Sequence, residues 1–269
     1  MPKDKVGFEY RKKKKETPFE TFLRYSNEKK NSARELAKVL RNYLSSKTIH
    51  LLDIGSGNGE YLKMILGELN LDIKINFVLL EPSEDLVKKL KQATKFFPGN
   101  WKIEIVTQTW ERFESGVKFD IILASHLYHI PRGEYYSQFL KMVKLLEPKG
   151  LLVFVLREID DPYDFKMKFK PLLFGKDFEA KTLDDALETF KKISEKVVPL
   201  KIEKYRSFSQ LHIPVEENFD DAVSIIEFYL NKKWEKIPPR IRKEAVKFIE
   251  DKDEAFKQVD GIALIKRLS

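Results

Sequence analysis

Apolar positions along the 269-residue chain alternate between short continuous runs and stripes at helical spacing. The runs are Ile49 to Ile54, Ile75 to Leu80, Lys102 to Val106, Phe119 to Ala124 and Leu151 to Leu156, and later Lys201 to Phe208 and Ile262 to Ile265. Such segments read as strands. Between them the stripes predict helices, one through Tyr61, Leu62, Ile65, Leu66 and Leu69, a second through Leu86, Val87, Leu90 and Ala93, and a third through Tyr136, Phe139, Leu140 and Val143. Two helical pieces over Thr17 to Leu44 come before the first strand. After the fifth strand a charged, aromatic stretch from Asp160 to Lys181 breaks the alternation and reads as an insertion, opened by a turn at Asp160-Asp161-Pro162-Tyr163. Helices are expected again from Thr182, over Phe219 to Leu230 and over Pro239 to Glu250.

Strands alternating with helices predict an α/β fold, a doubly wound, seven-stranded and mainly parallel sheet with its ligands at the carboxyl ends of the strands. The pattern divides the chain into a flexible basic arm (1–16), an N-terminal helical cap (17–46), a core (47–158) and a region (159–269) in which an insertion and lid helices precede the last strands of the same sheet. The helical material before the first strand and between the last two is expected to close over the ligand cleft.

Composition narrows the chemistry. There is no cysteine, which excludes disulfides, thiolate zinc sites and cysteine nucleophiles. No apolar run approaches the roughly 20 residues of a membrane span, and no signal-type segment follows the first residues, so a soluble, cytoplasmic and monomeric protein is expected. The net charge of +8 is fed partly by the run Arg11 to Lys15, which could touch a polyanion but reads first as a solvated arm.

The sharpest motif is Leu51-Leu52-Asp53-Ile54-Gly55-Ser56-Gly57-Asn58-Gly59-Glu60, followed at the end of the second strand by Glu81-Pro82-Ser83. The glycines let backbone approach a ligand closely, and the helix behind them offers unpaired N–H groups. An acid ending the next strand can accept both hydroxyls of a ribose. The spacing is D-x-G-x-G-x-G and not the G-x-G-x-x-G of a pyrophosphate cradle.

These residues resemble the first motif and the second-strand acid of class I S-adenosylmethionine-dependent methyltransferases, a Rossmann-like fold, over about Ile49 to Leu156. The resemblance implies S-adenosylmethionine as cofactor and S-adenosylhomocysteine as product. Gly55, Ser56 and Gly57 would line the methionine portion, Glu81 with Pro82 would hold the ribose, and Gln108 and Thr109 would border the adenine. Asp53 would order the loop or meet the cofactor's amino group through water.

A wider resemblance, to the histamine N-methyltransferase group, rests on Ser26-Asn27-Glu28, Glu81-Pro82-Ser83, Leu127-Tyr128-His129-Ile130, Pro238-Pro239-Arg240 and Asp260. It implies a small amine acceptor faced by Glu28, Ser125, His129 and Asp260, with Ser125 counted among the cofactor contacts as well and Glu28, His129 and Asp260 as the catalytic set. Methyl transfer from a sulfonium needs positioning more than a nucleophilic side chain, but an amine must lose its proton before it attacks, and a carboxylate or an imidazole can carry that proton away.

Other readings of the same residues stand beside these. Glu28, next to Lys29 and Lys30, is equally a surface helix residue, and Asp260-Gly261 is a natural turn pair. His126 and His129 could form a metal pair, but no further His or Cys lies near them in sequence, and no metal is expected. An acceptor made of RNA or protein would use the basic arm and Lys166 to Lys176, and a chain that binds the cofactor without turnover would keep only the glycines and Glu81.

Overall fold

The computed structural model describes residues 16–44, 48–69, 73–175, 178 and 180–268. Apart from Glu16, the basic arm expected over 1–16 lies outside the described residues. The elements in chain order are α1 (Pro18–Tyr25), α2 (Glu28–Leu40), β1 (Thr48–Ile54), α3 (Glu60–Leu69), β2 (Lys74–Leu80), α4 (Glu84–Ala93), β3 (Lys102–Val106), β4 (Phe119–Ser125), α5 (Tyr135–Lys144), β5 (Leu146–Arg157), α6 (Asp161–Phe174), α7 (Leu183–Lys196), β6 (Leu200–His212), α8 (Phe219–Leu230), α9 (Pro239–Glu250) and β7 (Ala255–Arg267).

The seven strands form one sheet in the order β3-β2-β1-β4-β5-β7-β6. Strands β1 to β5 pair in parallel, and β7 runs antiparallel to β5. Because side chains alternate across a strand, each apolar run feeds two cores. Leu52, Ile54, Ile122, Ala124, Leu152 and Phe154 meet α5 and α7 on one face. Leu51, Phe77, Leu79, Ile121, Leu123 and Val153 meet α2, α3 and α4 on the other. Burial on both faces is why these strands carry no polar alternation.

The chain divides into two compact units. The sheet with α2, α3, α4, α5 and α7 makes one of them. The other comprises α1, most of α6, α8 and α9, and its core is aromatic: Phe22, Phe165, Phe169, Tyr229 and Phe256 are buried together. The cap expected as a single piece over 17–46 is therefore split, α1 belonging to the aromatic unit and α2 to the sheet unit, where Ala33, Leu36 and Leu40 share a core with α3.

Two local expectations are corrected. Asp160 to Tyr163 does not make a turn but starts a helix: Asp160 Oδ1 accepts from Tyr163 N at 2.9 Å, and Pro162 falls in the first turn, where its missing N–H costs nothing. Asp260-Gly261 is likewise no turn but lies inside β7, which is far longer than its apolar run because Gln258 and Asp260 are buried polar residues within it. Gly261 is required by close packing, since a Cβ there would lie 2.5 Å from Leu183 Cδ2 and 3.0 Å from Glu158 Cγ.

Candidate active site

The glycine loop between β1 and α3 turns back on the sheet, with Gly55 N and Ser56 N both donating to the Leu80 carbonyl, at 2.8 and 3.0 Å. Gly55 and Gly57 hold φ at +75° and +59°, a left-handed backbone that side chains disfavour. Glu81 ends β2 buried beneath this loop, Oε2 accepting from Gly57 N and Oε1 from Ser83 N, both at 2.9 Å. The acid is thereby fixed in place before any ligand arrives. Ser56 Oγ donates to the Asp53 carbonyl at 3.0 Å. Burial raises the Asp53 carboxyl to about 7; Ser56 opposes the shift and the Glu81 charge adds to it.

Beside the loop lies a cavity of about 110 Å³ with apolar walls from Ile54, Leu80, Pro82 and Trp110 and a polar margin that includes Gln108, Thr109, Glu111 and His129. Gln108 Nε2 donates to the Arg112 carbonyl at 3.1 Å, which closes the loop after β3. At the end of β4 the Ser125 hydroxyl is buried with no hydrogen-bond partner among the described residues. An apolar slot for a base, a buried carboxylate at the β2 end and an orphaned hydroxyl at the β4 end are compatible with S-adenosylmethionine, for which Gly55, Ser56, Gly57 and Ser125 would line the methionine portion, Glu81 would hold the ribose, and Pro82, Gln108 and Thr109 would border the adenine.

A second polar group lies at the same end of the sheet. Arg157 ends β5 and bonds Glu28, the first residue of α2, through Nη2, and Asp160 through Nη1 at 2.8 Å. Gln258 Nε2 donates to the same Glu28 oxygen at 3.1 Å. Across the strand pair Asp260 stands opposite Arg157. His126 follows β4 with φ +55°, and its Nε2 lies 3.8 Å from Glu28 Oε1 and 3.7 Å from Asp260 Oδ2. A left-handed histidine is uncommon, and its ring is further held by the Tyr128 hydroxyl at 3.4 Å from Nδ1. The Glu28 and Asp260 side chains are 7% and 1% exposed and that of His126 26%, so solvent reaches the group past the imidazole. Neither Asp260 oxygen accepts a hydrogen bond of ordinary geometry, the Ser32 hydroxyl interacting with it only weakly. Burial raises this carboxyl well above its usual range, and the Glu28 charge adds to the effect while Arg157 opposes it. Tyr61, in the first turn after the glycine loop, feels the charges of Asp260, Glu28 and Asp53 alike, which puts the acid group beside the cofactor loop.

Of the three residues expected to be catalytic, Glu28 and Asp260 come together, and neither is the surface or turn residue that the bland reading allowed. His129 does not join them. Its Nε2 faces Glu111 Oε1 at 3.6 Å, at the margin of the base cavity and half exposed. The left-handed backbone at His126 turns that imidazole toward the acids instead, so the two histidines do not form a pair. Arg157, Asp160 and Gln258 were also missed; a charged residue closing a long apolar strand was the available signal for Arg157.

Residues 52–152 match the family model described as a methyltransferase domain. No curated protein matches the chain in sequence. Among solved structures, a Bacillus halodurans C-125 protein classed as a candidate methyltransferase shares 15% identity at a TM-score of 0.59, covering 87% of this chain and 99% of that one. The YcgJ protein of Bacillus subtilis shares 13% at 0.58, covering 88% and 99%. The cyclopropane synthase MmaA2 of Mycobacterium tuberculosis shares 16% at 0.53, covering 86% and 83%. No described helix is long and apolar enough to cross a membrane. Residues 52–152 thus carry a methyltransferase domain, set on a seven-stranded, mostly parallel sheet of the Rossmann-like order.

Proposed function

We propose that this chain is a class I S-adenosylmethionine-dependent methyltransferase that acts on the nitrogen of a small amine held between Glu28, His126 and Asp260. The observation that carries the reading is the buried, converging acid group: Glu28 Oε1 and Asp260 Oδ2 face His126 Nε2 at 3.8 and 3.7 Å, and neither Asp260 oxygen accepts a hydrogen bond of ordinary geometry. Burying an uncompensated carboxylate is expensive, and a ligand that brings positive charge relieves that cost. The acceptor atoms lie within 4.8 Å of one another, close enough to converge on one ammonium. The likeness to the histamine N-methyltransferase group supports the same class of acceptor.

S-adenosylmethionine supplies a methyl group already activated on a sulfonium, so the protein's task is alignment. Glu28, fixed by Arg157 and Gln258, and Asp260 orient the amine. His126 or Asp260 takes the proton that frees the nitrogen lone pair. Labelled-methyl transfer to a panel of small primary and secondary amines, with RNA and protein fractions alongside, tests this. Label entering an amine, and failing to do so with Asp260→Asn, is the expected result; label entering only RNA or protein would overturn it.

A further inference from the structure

The group that would hold an amine has the composition of a metal site. We propose that Glu28, His126 and Asp260 bind a divalent cation of the zinc type, and that this ion excludes the amine. The second half of this statement rests on the function proposed above; the first does not.

Three features of the geometry carry it. One imidazole nitrogen and two carboxylate oxygens, from the start of α2, the residue after β4 and the middle of β7, converge within 4.8 Å. Zinc bonds of about 2.1 Å in tetrahedral array set ligand atoms about 3.4 Å apart. The observed separations of 3.8 Å between Glu28 and His126 and 3.7 Å between His126 and Asp260 need to close by a few tenths of an ångström, and that between Glu28 and Asp260, within 4.8 Å, by up to about 1.4 Å. The Asp260 carboxyl, 1% exposed and aimed into this space, accepts no hydrogen bond of ordinary geometry, so the ion displaces its proton and no strong protein contact.

The surroundings of the donors fit as well. Metal ligands are ordinarily oriented by outer hydrogen bonds that leave the coordinating atom facing the ion. Arg157 and Gln258 both engage Glu28 through Oε2, while Oε1 faces His126. The Tyr128 hydroxyl meets His126 at Nδ1, while Nε2 faces the carboxylates. Three protein ligands leave a fourth position, on the side where the imidazole meets solvent, for water or a substrate atom. An ammonium and a zinc ion both require these three atoms, so occupation by one excludes the other.

The test uses the full chain, stripped with chelator, and zinc chloride alone as the probe. Calorimetry should show one zinc per chain, and His126→Gln and Asp260→Asn should each weaken binding at least about a hundredfold, beyond the range usual for loss of an outer partner. Zinc should raise the melting temperature of the wild type and not of the variants. Retained S-adenosylhomocysteine binding by the variants shows that they are folded. No zinc binding, or binding that both variants keep, overturns the proposal. Where an amine acceptor is found, zinc should inhibit competitively with it; non-competitive inhibition overturns the exclusion. Zinc binding without any amine turnover would count against the function proposed above and leave the metal site standing.

Discussion

Arg157 and Asp260 are register partners across β5 and β7, yet the guanidinium turns to Glu28 and Asp160 and leaves Asp260 without a hydrogen bond of ordinary geometry. Asp260 is therefore a buried carboxyl held well above its usual range by burial. Asp260→Asn should keep or raise the melting temperature, because it removes a buried carboxylate, while methyl transfer falls by about 100-fold or more. Scanning calorimetry and a labelled-methyl assay check the two halves. A variant that melted far lower would mean that Asp260 is structural.

Arg157→Met should have the opposite stability effect. It strands Glu28 and Asp160 in the interior, and removal of one partner of a buried pair costs about 3 to 5 kcal/mol. Urea denaturation of the variant measures this, and a loss under about 1 kcal/mol would show that the three-member pair is not what orders this end of the sheet.

Glu81 holds Gly57 N and Ser83 N with its two oxygens. Hydrogen bonds to a charged group contribute about 1.5 to 3 kcal/mol each, so Glu81→Ala should weaken S-adenosylhomocysteine binding at least about tenfold through the loop, before any lost ribose contact is counted. Glu81→Gln should fall between the two. Equal affinity in all three proteins by calorimetry would contradict the assignment.

Asp53 is expected to set the pH dependence of cofactor binding. Its carboxyl is raised to about 7 by burial, so the empty protein holds the proton below that pH and loses it above. A raised acid stabilises the fold below its unfolded value near 4, and this contribution is lost as pH rises through about 7. The positively charged cofactor prefers the ionised form. Affinity for S-adenosylmethionine should therefore drop as pH falls from 8 to 6, more than that for the uncharged-sulfur product, and Asp53→Asn should flatten the profile in titrations at fixed ionic strength.

Much of the fold was legible from the chain alone. Strands β1, β2 and β4 matched their apolar runs within a residue or two, because burial on both faces keeps most of their positions apolar, while β3, at the sheet edge, matched with Ile103 and Ile105 alternating with exposed Lys102 and Glu104. The glycine loop and Glu81 were equally plain, since local backbone needs dictate their residue types. The start of β7 and the helix at Asp161–Phe174 were not. Buried Gln258 and Asp260 look like turn chemistry until their partners are known, and α6 has no clear helical stripe, with a proline at 171.

The acceptor side shows the same division. The resemblance named Glu28, His129 and Asp260 together. Only the tertiary structure could show that His126, and not His129, lies beside the two acids, because this depends on one left-handed backbone angle that sequence does not encode as a pattern. Only the tertiary structure could bring in Arg157 and Gln258, which meet Glu28 across 129 and 230 positions, and with Arg157 the nearby Asp160, three residues on. What the sequence by itself determined was the sheet, its glycine loop and the cofactor acid, where the physical requirement is local and recurs along the chain. What the fold decided was which buried charges meet and which one is left over, since electrostatic balance belongs to the assembled interior and to no single segment of it.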